Sequence, residues 1–324
     1  MKRSVKFVVP GLIVLTLSLA VLLIWWRFDS DIEAAKARTA QGSVLVSTRC
    51  GPIEYQEAGT GIVLLVVHGG GGGHDQGMAF AGALARHGIR VIAMSRFGFL
   101  RTPMPADASP AAQAKAHVCL LDALGIQRAA VFGGSAGAPS ATQMAIAYPE
   151  RVSALIVLAP LTFKPDAVAN SATPMSPWVN KVLAGLFTSD FFLWAGLHLA
   201  PTQMIRYVLG TPPELVAGAS PQERARIAAI LANILPLSTR QSGIAGDMAV
   251  AASLVSYPLE TLRLPTLIMA ARDDGFGTYA NAQYTAGRIA GAKFVGFNEG
   301  GHALVGHNHE VIAEIAKLVK DSGP

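Results

Sequence analysis

Past residue 42, short and nearly unbroken apolar runs alternate with Ala-rich stretches of helical spacing. That alternation confines the chain to few folds. The runs Ile62–Val67, Arg90–Met94, Ala130–Phe132, Leu155–Leu158, Thr266–Met269 and Lys293–Phe297 read as strands covered on both faces. Between them, helical patterns occupy Ala79–His87, Pro110–Leu124, Pro139–Tyr148, Tyr279–Ile289 and His309–Val319. Ahead of them, Val44–Thr48 and Ile53–Gln56, split by Gly51-Pro52, read as a hairpin. The expectation is an α/β fold: a mostly parallel, doubly wound sheet with an antiparallel N-terminal hairpin. From Leu161 to Pro258 no strand pattern appears, only helices punctuated by Pro and Gly, so residues 161–258 read as a helical cap. The sheet domain then comprises residues 43–160 and 259–324.

The N-terminus follows a different pattern. Phe7 to Trp26 is a 20-residue run without a charge, preceded by Lys2, Arg3 and Lys6 and closed by Trp25 and Trp26. At about 1.5 Å per residue it matches a bilayer's hydrocarbon thickness of roughly 30 Å. Residues 1–27 therefore read as a transmembrane anchor and residues 28–42 as a juxtamembrane helix or tether. The basic flank predicts a cytoplasmic N-terminus with the remaining chain outside, and the lipid bilayer as partner of residues 7–26. A cleaved signal peptide is the competing reading. It is disfavoured because WWRFDSD, not a small-x-small site, follows the apolar run. Three of the five net positive charges lie in residues 1–40, so the basic balance points to no nucleic-acid partner.

Residues 131–139 read VFGGSAGAP, an apolar strand running through Gly133-Gly134-Ser135-Ala136-Gly137 into an Ala-rich helix. This is a G-x-S-x-G elbow in strand–turn–helix context, with Ser135 as candidate nucleophile. Strand Ile62–Val67 ends in His68 and five consecutive glycines. Such a loop brings backbone N–H groups close to a ligand, and acyl transfer pairs one of them with the N–H following the nucleophile. The candidate donors are Gly70, with Gly69 as the alternative, and Ala136. A phosphate cradle is disfavoured: there is no G-K-[ST] motif and no G-x-G-x-x-G followed by a helix and a strand-end acid. His68 reads as structural, its ring tied to loop backbone.

Strand Thr266–Met269 leads into Ala270-Ala271-Arg272-Asp273-Asp274, and strand Lys293–Phe297 into Asn298-Glu299-Gly300-Gly301-His302. Acid and imidazole thus follow the carboxyl ends of strands, in the order Ser, Asp, His. His307 and His309 lack the i, i+4 spacing of a helical metal pair, so no metal and no cofactor are expected. Cys50 and Cys119 read as two unpaired small hydrophobes, with a single disulfide as the alternative.

The hairpin, HGGGGG, SRFGFLRTP, GGSAG, ARDD and EGGH together resemble the α/β-hydrolase superfamily over residues 43–324. In that family the acid stands three residues after a small strand-end residue. With Ala271 in that place, the resemblance implies Asp274 as triad acid and Asp273 as fallback, beside catalytic Ser135 and His302. Family elbows often carry a large residue before the serine, whereas Gly134 stands here. A serine in this position disfavours the epoxide and haloalkane chemistry that uses an aspartate nucleophile on the same fold. The implied function is a membrane-anchored serine hydrolase acting on a small-molecule ester or acyl substrate. The alternatives are a carbon–carbon bond hydrolase, a cofactor-free perhydrolase, or a non-enzymatic binding module on a hydrolase scaffold. The apolar cap segment Pro177–Leu199 either packs onto the core or stays partly exposed toward lipid.

Overall fold

Eight strands form one sheet in the order β1-β2-β4-β3-β5-β6-β7-β8 in the computed structural model, which describes residues 5–165 and 175–323. They are β1 (Val44–Thr48), β2 (Gly51–Ala58), β3 (Ile62–Val67), β4 (Ile89–Met94), β5 (Ala129–Gly134), β6 (Val152–Leu158), β7 (Thr266–Ala271) and β8 (Lys293–Phe297). The β1–β2 and β2–β4 pairs are antiparallel and the other five are parallel. After β4 the chain crosses over to place β5 on the far side of β3. The β3/β5 boundary is therefore the topological switch point, where such sheets open a crevice at strand carboxyl ends. Leu65, Val67 and Val131 enter one core layer, whereas Leu64, Val66, Ala130 and Phe132 enter the opposite one. Period-2 alternation under helices on both faces explains why these runs are apolar throughout.

The helices are α1 (Val5–Ala40), α2 (His74–Ala81), α3 (Pro110–Ala123), α4 (Ala138–Ala147), α5 (Pro177–Leu186), α6 (Asp190–Leu199), the single turn α7 (Pro201–Gln203), α8 (Pro213–Gly218), α9 (Pro221–Ala232), α10 (Gln241–Ala252), α11 (Thr278–Arg288) and α12 (Asn308–Asp321). Helix α2 starts five residues before the pattern predicts, directly after the glycine loop, and Gly82–His87 is a 3₁₀ turn. Gly77 lies within the part of α2 that the pattern leaves out. A Cβ there would lie 3.0 Å from the Ala93 Cβ, so its absence lets α2 lie close against the sheet. Between β6 and β7 the described residues contain only helices, α5 to α10 among them; residues 166–174 of the expected cap lie outside the described residues. Ser176 and Ser189 cap α5 and α6 by accepting the N–H groups of Val179 and Phe192. The apolar segment 177–199 divides: Leu193 and Trp194 are buried, whereas Trp178, Phe192 and Leu199 are 72%, 53% and 85% exposed.

The chain divides into two compact units, Met1–Gln41 and Gly42–Pro324. In the first, α1 runs unbroken to Ala40, so residues 28–40 prolong the apolar helix instead of forming a separate segment. Ion pairs at helical spacing, Arg27–Asp31 (3.1 Å) and Glu33–Lys36 (2.7 Å), suit that continuation. Gly11–Ala40 is long and apolar enough to cross a membrane, and its apolar side chains from Leu12 to Trp26 are exposed. A signal sequence has the same character. Lys2, Arg3 and the side chain of Lys6 lie outside the described residues.

The expectation of two unpaired cysteines is overturned. Cys50, in the β1–β2 turn, forms a disulfide with Cys119 of α3, with their Cα atoms 6.0 Å apart. Helix α3 packs against β1 and so brings together residues 69 apart in sequence, a proximity that spacing alone does not reveal.

Candidate active site

Strand β5 ends at Gly134, and Ser135 follows at φ +47°, a left-handed conformation seldom adopted by residues other than glycine. The turn is tight because its flanking glycines touch backbone. A Cβ on Gly137 would lie 2.5 Å from the carbonyl oxygens of Val67 and His68, and one on Gly133 would lie 2.6 Å from the Ala141 Cβ. A 3₁₀ turn over Ser135–Gly137 then leads into α4, and the Ala138 N–H donates to the Ser135 carbonyl.

His302 and Asp274 converge on Ser135. The Ser135 Oγ lies 3.0 Å from His302 Nε2, and His302 Nδ1 lies 2.8 Å from Asp274 Oδ2. Because a carboxylate only accepts, Nδ1 carries the proton, and the free Nε2 lone pair faces the serine hydroxyl. Asp274 is buried and also accepts the Phe276 N–H (2.8 Å) and the Thr278 hydroxyl, contacts that fix its plane. Asp273 does something else: it accepts the N–H groups of Gly301 (2.8 Å) and Gly300 (3.2 Å), holding the loop that carries His302. The imidazole also meets the Phe276 ring edge-on, with centroids 4.8 Å apart. His307 stacks on Phe297 at 4.2 Å, away from this relay.

The glycine loop lies against the serine because β3 pairs with β5 in the register Val67↔Gly133. A Cβ on Gly69 would come within 3.2 Å of the Ser135 Cβ. Of the two candidate loop donors, Gly69 is occupied: its N–H donates to Gln76 Oε1 at 2.9 Å. The Gly70 N–H has no partner among the described residues, and a Cβ on Gly70 would stand 4.0 Å from that of Ala136. Gly70 and Ala136 are therefore neighbours, and Asp247 Oδ2 lies 3.7 Å from the same Cβ position on Gly70. His68 binds loop backbone as expected. The Arg96 N–H donates to its Nε2 (3.0 Å), which leaves Nδ1–H to donate to the Gly69 carbonyl (2.7 Å). Burial, aided by the nearby Arg96 charge, pushes the His68 pKa well below the ordinary histidine range, so the ring is neutral.

Four residues around this loop escape sequence reasoning. Arg96 donates through Nε to the His68 carbonyl (2.9 Å) and through Nη2 to the Gly69 carbonyl (3.1 Å). Its outer face forms a bidentate pair with Asp247 of α10, at 2.6 and 2.7 Å. Arg240, fully buried at the foot of α10, holds both oxygens of Asp75 and the Gly72 carbonyl. One signal was available: Asp247 is the only charge in α10 (QSGIAGDMAVAA). A cavity reaching Ala136 is lined by Arg96, Phe97, Gln113, Pro139, Ser140 and Asp247, among others.

The arrangement suits nucleophilic attack on a carbonyl, and comparison with known proteins agrees in class. The model of a protein family described as alpha/beta hydrolase fold matches residues 62–306. A 2-hydroxy-6-oxo-6-phenylhexa-2,4-dienoate hydrolase from Comamonas testosteroni is 36% identical over 113 residues, which span 33% of this chain and 40% of that protein. A 2-hydroxy-6-oxononadienedioate/2-hydroxy-6-oxononatrienedioate hydrolase from a Pseudomonas species is 29% identical over 241 residues, covering 70% of this chain and 76% of its own. Among solved structures, an alpha/beta hydrolase fold protein from Nakamurella multipartita aligns with a TM-score of 0.68 at 24% identity, covering 87% of this chain and all of that one. On fold, strand order and family match together, the chain is a hydrolase belonging to the α/β-hydrolase fold family.

Proposed function

We propose that the protein is a serine hydrolase of neutral carboxylic esters. The relay Ser135 Oγ–His302 Nε2 (3.0 Å) and His302 Nδ1–Asp274 (2.8 Å) carries the reading. In this mechanism Ser135 attacks the acyl carbon while His302 takes its proton, and Asp274 stabilises the resulting imidazolium. The oxyanion forms between the Gly70 and Ala136 N–H groups. Collapse expels the alcohol with the proton from His302. Water, deprotonated by His302, then attacks the acyl-enzyme, releasing the acid and restoring Ser135.

A second reading rests on the two relatives named as dienoate hydrolases. Such compounds contain no ester, so their hydrolysis must break a carbon–carbon bond. They also carry a carboxylate. Arg96 is the only cation among the described residues lining the cavity, and its guanidinium is already paired with Asp247. Among its described residues that lining therefore offers no free cation to a substrate carboxylate. Fluorophosphonate labelling, lost in Ser135→Ala, is the expected first result. A p-nitrophenyl ester series set against a 2-hydroxy-6-oxo-dienoate then decides between the readings. Turnover of the dienoate alone would replace the ester assignment.

The reading includes a membrane anchor at residues 7–26 with the catalytic body outside the cytoplasm. The disulfide supports this placement, because such bonds persist in oxidising compartments. Protease added to right-side-out vesicles should digest the body; full protection would reverse the topology.

A further inference from the structure

The Gly70 N–H and the Gly69 carbonyl belong to one peptide plane and point in opposite directions. Whatever grips that carbonyl aims the candidate oxyanion donor. Three donors grip it: His68 Nδ1 at 2.7 Å, Arg96 Nη2 at 3.1 Å and the Gly72 N–H at 3.3 Å. The grip is needed because both residues of this plane are glycines, which reach alternative backbone conformations readily. Of the three donors, Arg96 is the one whose position depends on a distant element. Its guanidinium is clamped from the other side by both oxygens of Asp247, and the two side chains are 7% and 15% exposed. Asp247 belongs to the cap helix α10, 151 residues further along the chain.

We infer that Asp247 is a positioning residue for catalysis: through Arg96 it holds the Gly69–Gly70 peptide so that the Gly70 N–H faces the oxyanion. The cap therefore completes the site as well as covering it. Arg240, at the start of the same helix, acts in parallel on the Gly72 carbonyl. The cap backbone is fixed beside them, since the Gly243 N–H donates to the Gly98 carbonyl (3.0 Å) and the Leu100 N–H to the Thr239 carbonyl (2.7 Å). This inference rests on the serine-hydrolase reading and adds a residue to it.

An oxyanion effect is separable from a packing effect. Asp247→Asn keeps the shape of the side chain but weakens the clamp on Arg96. Its kcat for a p-nitrophenyl ester should fall about 10- to 100-fold, below the 10²–10³ typical when an oxyanion donor is removed outright. KM should change less than threefold, on the same order-of-magnitude footing. Affinity for an aryl trifluoromethyl ketone, which forms a tetrahedral adduct on the serine, should fall in parallel with kcat. Asp247→Glu should restore part of both. The double variant Arg96→Met/Asp247→Leu exchanges the buried pair for apolar groups, which such sites often tolerate in stability. It should fold and still lose kcat and ketone affinity, because the carbonyl grip is gone. Variants that keep kcat and ketone affinity within twofold, whatever their melting temperature, would overturn the inference. Should the wild-type protein itself neither bind the ketone nor label at Ser135, the serine-hydrolase reading falls instead.

Discussion

The two sides of the candidate site are held together in different ways. The Ser135–His302–Asp274 side is local: each residue stands within a few positions of a strand end, and parallel pairing brings those ends together. Its supports, Asp273 on Gly300 and Gly301 and Thr278 on Asp274, come from the same loops or the helix that follows. The side proposed to hold the oxyanion is assembled at long range. Its glycine loop has no side chains of its own and is gripped by two arginines, which are paired with carboxylates 151 and 165 residues away. A rigid relay therefore faces a loop whose shape depends on the cap. Damage to the first should abolish chemistry, whereas damage to the second should loosen it by degrees.

The largest expected effect tests the rigid side. Ser135→Ala should lower ester turnover by about 10³–10⁶-fold without shifting the unfolding midpoint. Near-normal hydrolysis would remove the relay from the mechanism. Asp274→Asn comes next, at about 10⁴-fold in kcat, because it deprives the imidazole of the acceptor that fixes its tautomer. Asp273→Asn should cost far less, since that carboxylate meets only backbone N–H groups; a reversed ranking would exchange their roles.

On the cap-dependent side the readout is stability before rate. Arg240→Met removes the guanidinium from Asp75, a pair with side-chain exposures of 0% and 8%. Breaking a buried pair of this kind costs about 3–5 kcal/mol, measurable as a lowered denaturant midpoint. An unchanged midpoint would mean that the cap sits on the loop without gripping it. The smallest effect concerns pH. His117, buried beneath the elbow helix with Nε2 3.0 Å from the Ser140 Oγ, has its pKa lowered by burial to about 3, and that of His68 is also depressed. The unfolded chain then binds more protons below about pH 6.5, so stability is complete above that value and declines as pH falls toward 3. Each such histidine contributes a slope of at most about 1.4 kcal/mol per pH unit. His117→Gln should flatten the decline between pH 6.5 and 4.5 in denaturation curves, and an unaltered slope would assign it to other groups.

This contrast also explains what could be read in advance. Strand–turn–helix context marked Ser135, and strand-end placement marked Asp274 and His302, because local backbone geometry dictates residue type at such positions. That Gly70 and Ala136, the candidate donors, lie beside each other follows from the same strand-end placement. Gly69 stayed ambiguous until Gln76, seven residues on, was seen to occupy its N–H. Arg96, Asp247, Arg240 and Asp75 were not legible: an ion pair leaves no periodicity, and each partner alone resembles a solvated charge. The disulfide was misread for a related reason, since only the packing of α3 on β1 makes Cys50 and Cys119 neighbours. The continuity of α1 past Trp26 was half legible, through Ala content and charge spacing, but nothing in the polar segment marked whether a break lay ahead of it.

The paired charges between cap and glycine loop restrict how this enzyme can be rebuilt. Caps inserted between β6 and β7 invite treatment as exchangeable modules for altering substrate range. Here, replacing residues 161–258 as a block would also discard Arg240 and Asp247, leaving Asp75 and Arg96 without the partners that α10 supplies. A chimera should therefore succeed only if the incoming helix carries an arginine and an aspartate seven positions apart in matching orientation, or if all four positions are exchanged together.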